Sequence, residues 1–307
     1  MSRRFDVLRV PLLRQQRDGE DNVKPIEPIT DQQWTTLRRL NIAGAIVHGV
    51  SFVGVLAIAI WAQVAGFASL VPGILSWDMG ATFINGTYIT ESGNVTAITS
   101  TAVGPYPLIW VDVGFPLVTA IFHALIAFSP AVWGYYRKNL EMHRSNPLRW
   151  TEYSITASLM TWIIAQLVGI TNIFLLIAVA VIGNVVLQQM GALMETMNAR
   201  RSKGRVHWAP TIIGWVIFAG QWAAILTYFI VSATQDPPAF VWVIVFALLG
   251  IYMVFGLVQL AHYAGWPRWL SSSYAVEIAY IVLSLTSKLV LTWTLVPALI
   301  RAHLTGV

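Results

Sequence analysis

No cysteine occurs among the 307 residues, so disulfides, thiolate metal sites and a cysteine nucleophile are excluded. Charge is scarce as well: Asp, Glu, Lys and Arg make up 11% of the chain, against about a quarter in an ordinary soluble domain. Whole stretches have no basic residue at all. Lysine and arginine are missing from Gly66 to Tyr106, from Gly169 to Asn172 and from Ser232 to Pro238. Metal-ligand spacings, nucleophile motifs and phosphate-binding loops are also missing, which speaks against an enzyme.

What is present is apolar: 56% of residues, gathered into runs long enough to cross ~30 Å of hydrocarbon at ~1.5 Å per residue. Seven such runs lie at about 40–65, 107–135, 148–168, 171–195, 208–233, 239–263 and 273–300. The expected fold class is an all-α membrane protein, a seven-transmembrane-helix bundle. The first run starts too deep and runs too long for a cleaved signal peptide.

The basic residues fall on one side of these runs. They cluster before the first run, as in Arg38 and Arg39, and recur as Arg137, Lys138 and Arg144, as Arg200, Arg201, Lys203 and Arg205, and as Arg268. The positive-inside rule then predicts a cytoplasmic amino terminus and an extracellular carboxyl terminus. The expected parts are a basic cytoplasmic tail over 1–37, the bundle over 38–300 and a short outward end over 301–307. Within the bundle, 66–106 forms a long outer loop. Alternation over Ala81 to Thr90 and Asn94 to Thr101, with Gly86 and Gly93 as turn residues, predicts a hairpin there. An interfacial helix over Phe5 to Leu13 is a further reading of the tail. The net charge of +5 is explained by orientation and anionic lipid headgroups, with no nucleic-acid partner required. A cytoplasmic transducer protein for the tail stays open.

The last run holds Lys288 near its middle. An ammonium group at that depth costs at least ~2.5 kcal/mol, so it must pair with a carboxylate, lose its charge, or enter a covalent bond. Four acids lie in predicted spans. Asp112 is expected at the interface, Glu195 beside a basic loop and Glu277 three turns from Lys288 on the cytoplasmic side, which leaves Glu152 as first choice. Its depth is awkward. Glu152 lies about one turn from the inner surface, so the third helix would have to reach back toward Glu141, or tilt, to meet Lys288. Arg149 shares a helical face with Glu152, as in a surface ion pair. His48 and His123 are two imidazoles expected to face the bundle interior at similar depth. Aromatic residues at mid-depth, Trp215 among them, suit a flat apolar ligand.

Arg149-Trp-Thr-Glu-Tyr on the third run and Ser284-Leu-Thr-Ser-Lys288 on the seventh carry a resemblance to the heliorhodopsins, seven-helix retinal proteins inverted relative to ordinary microbial rhodopsins. It spans about residues 38–300. The resemblance implies that Lys288 forms a Schiff base with all-trans retinal and that Glu152 is the counterion. It places Ser284 beside the nitrogen and His48 with His123 in a polar cavity nearby, and Arg149 and Trp215 join the cofactor-binding set. It implies a homodimeric photoreceptor for light sensing, with a slow photocycle and no net ion pumping. Two other readings remain: a light-gated proton channel or light-driven proton transporter, and a chromophore-free solute transporter gated by the Lys288 and Glu152 pair. Against the transporter stands the lack of an internal repeat. Against a pump, the third run offers no carboxylate outward of Glu152, only Gln166.

Overall fold

The computed structural model describes residues 28–64, 76–90, 93–199, 206–233 and 237–305. Most of the basic tail, the interfacial helix read at Phe5 to Leu13 and the basic loop at 200–205 lie outside the described residues.

Helix α1, Asp31–Val64, starts well before its apolar run. The reason is a reciprocal cap: the Thr30 amide donates to Gln33 Oε1 (2.9 Å) and the Gln33 amide to Thr30 Oγ1 (3.3 Å). The boundary expected at residue 37 therefore falls inside a helix. Strands β1, Ser76–Thr90, and β2, Gly93–Pro107, pair antiparallel with Trp77 opposite Tyr106. The hairpin is longer than its sequence signal. Its register shifts next to Gly80 and around Gly86, where glycine tolerates a bulge.

The second apolar run is two helices, α2 (Ile109–Phe128) and α3 (Pro130–His143). Ser129 precedes a proline and is extended (φ −85°, ψ 116°), which ends α2, while Pro130 opens α3 at its first turn. Arg144, at φ 51°, closes α3. Helix α4, Pro147–Leu167, then starts afresh, with Asn146 Oδ1 accepting from the Arg149 amide (3.2 Å). It does not reach back toward Glu141.

Helix α5 runs Ile173–Asn198 with a π-helical segment at Ile177–Ile182, and α6 covers Ala209–Ala233. Helix α7, Ala239–Ala264, ends on Gly265 in the left-handed region (φ 72°). Helix α8, Ser273–Thr305, carries Lys288.

Among the described residues, six helices (α1, α2, α5, α6, α7 and α8) are long and apolar enough to cross a membrane. The expected seventh, α4, is not one of them, because its polar side chains lower its hydropathy. Those side chains point inward: Arg149, Glu152, Thr156, Ser158, Thr161 and Gln166 are all buried. The outside of the bundle is the reverse, with Val50, Val53, Ile212, Val216 and Ile230 more than half exposed. A bundle with polar groups inside and apolar side chains outside is what hydrocarbon as solvent requires.

Candidate functional site

Helix α8 points Lys288 into the interior, where it is 3% exposed. Its Nζ donates to Ser284 Oγ (2.6 Å) and to Glu152 Oε1 (3.0 Å). Thr119 Oγ1, from α2, donates to the same Glu152 oxygen (2.8 Å). The Tyr153 ring lies 5.2 Å from Nζ and completes the wall.

The awkward depth of Glu152 resolves without any extension of α4. Asn146, at the start of α4, donates to Glu277 on α8 (2.6 Å), which sets the two helices level there. From that point Glu152 is ~9 Å along α4 and Ser284 ~10 Å along α8. The two are therefore level. Helical side chains lean toward the amino terminus, so the Lys288 stem runs back one turn to Ser284 and delivers its amine to Glu152.

Arg149 does not form the surface pair with Glu152 that its spacing suggested. It is buried and pairs with both Glu195 and Glu277, and its guanidinium lies over the Tyr280 ring at 4.1 Å. Glu195 Oε2 also accepts from Trp150 Nε1 (2.7 Å) and the Asn146 amide (2.9 Å). These two acids are thus committed to Arg149, which leaves Glu152 for Lys288. Residues three apart on a helix are about 60° from eclipsed, enough to send Arg149 and Glu152 to different partners.

His48 and His123 do meet: their rings stack 6.0 Å apart, 5° from parallel. Gly44 makes room, since a Cβ there would sit 2.9 Å from the His123 ring. His123 Nδ1 bonds Asn41 Oδ1 (2.8 Å), while both ring nitrogens of His48 have no hydrogen-bond partner among the described residues. A small cavity with Asn41, His123, Arg149, Glu152 and Glu277 as polar lining residues lies on this side of Glu152.

Asp112, expected at the interface, lies in the first turn of α2; it is fully buried there, and Thr292 Oγ1 on α8 donates to its Oδ1 (3.1 Å). Sequence reasoning also passed over Thr119 and Asn41. Isolated polar residues on an apolar run were the available signal, and what they touch depends on which face they occupy.

On the other side of Lys288 lies a cavity between α4, α5, α6, α7 and α8. Its walls include Tyr153, Met160, Trp215, Phe218 and Tyr252. Two glycines let indoles lie against neighbouring backbones: a Cβ at Gly191 would come within 2.4 Å of Trp150, and one at Gly256 within 2.8 Å of Trp215. The space is apolar and walled by rings, with one primary amine at its edge. These features fit a flat polyene aldehyde such as retinal.

The fold and site define a class: a multi-pass helical membrane protein with an amine and a carboxylate beside a ring-lined apolar cavity. The heliorhodopsin family model matches residues 37–299, and the chain belongs to that family. Membership implies a retinal-binding, photoreceptor-type rhodopsin. Among solved structures, the chain is similar to a light-driven proton pump from Leptosphaeria maculans, at 12% identity and a TM-score of 0.48, covering 91% of this chain and 98% of that one. No curated protein sequence matches it.

Proposed function

We propose that this chain is a light sensor in which Lys288 holds all-trans retinal as a Schiff base and Glu152 is the counterion. The observation that carries this reading is the buried bond from Lys288 Nζ to Glu152 Oε1 (3.0 Å) at the edge of the ring-lined cavity. Bound retinal would supply visible absorption and a light-driven change of shape.

The protein's own groups account for the rest. Glu152 lies close enough to keep positive charge on the Lys288 nitrogen. Thr119 and Ser284 fix the two ends of that contact. Trp215 and Phe218 wall the cavity and, with the surrounding helices, limit access of water. His48 and His123, stacked on the Glu152 side of Lys288, are the imidazoles placed to take up and return a proton. Because they share the Glu152 side with the small polar cavity, the proton returns the way it left and there is no net transport.

Helix α4 completes a seven-span bundle, its polar residues turned inward. Arg38, Arg39, Arg137, Lys138, Arg144 and Arg268 mark the cytoplasmic face, so the amino terminus lies inside and the hairpin outside. Pairing of two such bundles in the bilayer, through the apolar outer surface, belongs to the same reading.

Adding all-trans retinal to the purified apoprotein tests it. A visible band is expected, red of the free aldehyde and bleached by hydroxylamine. A preparation that stays colourless would favour the chromophore-free transporter.

A further inference from the structure

Asp112 has no part in the Lys288 site, and its surroundings do not suit a carboxylate. Thr292 Oγ1 donates to Oδ1, while Oδ2 has no hydrogen-bond partner among the described residues. The main chain of the same residue adds another acceptor. Pro116, four residues on in α2, has no N–H to give to the Asp112 carbonyl. Acceptors therefore outnumber donors at this point, and a proton on the carboxyl would turn one acceptor into a donor.

Among the described residues, Asp112 takes part in no ion pair. The apolar clusters that hold its α2 neighbours Leu108, Ile109, Val113 and Phe115 also hold Val55 and Ala59 from α1, Ile163 from α4, and Leu295 and Val296 from α8. Among the described residues, the other buried charged side chains and histidines belong elsewhere. His48 stacks on His123, Glu152 binds Thr119 and Lys288, and Arg149, Glu195 and Glu277 pair with one another. An isolated carboxylate in apolar surroundings is costly, and the neutral acid is not.

Position gives this acid a use. Ser284 and Thr292 lie one turn either side of Lys288 on α8, and the Lys288 amine is turned to Ser284. Glu152 is thus on one side of Lys288 and Asp112 on the other, near the end of α2 that joins the hairpin. We propose that Asp112 is a second proton-carrying site: it holds a proton at rest and, on illumination, releases it to the medium on the hairpin side and is reprotonated from that side. In this step the carboxyl O–H breaks, the proton passes to water, and the carboxylate keeps the Thr292 hydrogen bond until a proton returns. The light-driven half rests on the light-sensor reading; the resting half does not.

Infrared spectroscopy separates the two halves. In the apoprotein at neutral pH, the carboxylic-acid C=O band expected for wild type should be lost in Asp112→Asn and displaced in Asp112→Glu. Thr292→Val, which removes the donor to Oδ1, should shift the same band without abolishing it, and serves if the asparagine variant does not fold. Spectra unchanged in that region by all three substitutions would show an ionised Asp112 and overturn the proposal. In the retinal-loaded protein, illumination should bleach the band while a pH dye on the hairpin side reports transient acidification, and Asp112→Asn should abolish both without loss of colour. A coloured protein whose band ignores light makes Asp112 an interhelical clamp only, and overturns the light-driven half. Failure to form colour removes the light-sensor reading and leaves the dark spectra to decide the resting half.

Discussion

Thr119 and Lys288, on different helices, donate to one and the same atom, Glu152 Oε1, at 2.8 and 3.0 Å. The charge of that carboxylate is therefore shared between a hydroxyl and an amine. Two consequences for colour follow.

Glu152→Gln removes the negative charge beside the Lys288 nitrogen. A nearby anion localises positive charge on nitrogen and widens the excitation gap, so the variant should absorb to the red, or lose its Schiff-base proton at neutral pH and absorb far to the blue. The visible spectrum decides, and an unchanged band would remove Glu152 from the role.

Thr119→Val should act in the opposite direction and more weakly. Without the Thr119 hydroxyl, Glu152 Oε1 faces Lys288 alone and interacts with it more strongly. A small blue shift is expected in the absorption maximum; a red shift as large as that of Glu152→Gln would contradict the shared-oxygen geometry.

The stacked histidines carry a kinetic prediction. Replacing both His48 and His123 by alanine should slow or abolish transient deprotonation at Lys288, followed by flash photolysis as the rise of the blue-absorbing species. Unaltered kinetics would reduce the pair to packing.

Arg149 bridges two buried acids, so Arg149→Met leaves Glu195 and Glu277 facing each other without a cation. Breaking a buried pair in this way costs ~3–5 kcal/mol. A lower melting temperature is expected in detergent, with partial recovery on adding Glu277→Gln. A melting temperature equal to wild type would mean that the three side chains are not held together.

Much of this was legible in the chain. Apolar runs marked the helices, and the cost of Lys288 singled out Glu152, because elimination among four acids needs no coordinates. Register between helices was not legible. Glu152 appeared too shallow because a count along the chain ignores that Lys288 leans back to Ser284 and that Asn146 sets α4 level with Glu277. The break at Ser129 was readable from Pro130 but hidden by continuous hydrophobicity on both sides. The burial of Asp112 was hidden for a related reason: nearness to a helix end says nothing of the neighbours, here Thr292 on α8. The polarity that kept α4 below the hydropathy of a span is the same polarity that builds the site.

The most direct test is covalent. The chain has four lysines, Lys24, Lys138, Lys203 and Lys288. Reducing the retinal-loaded pigment with borohydride and mapping the adduct by peptide mass spectrometry should place it on Lys288 alone, with no adduct and no colour in Lys288→Ala. An adduct on another lysine, or colour that survives loss of the Lys288 amine, would contradict the account.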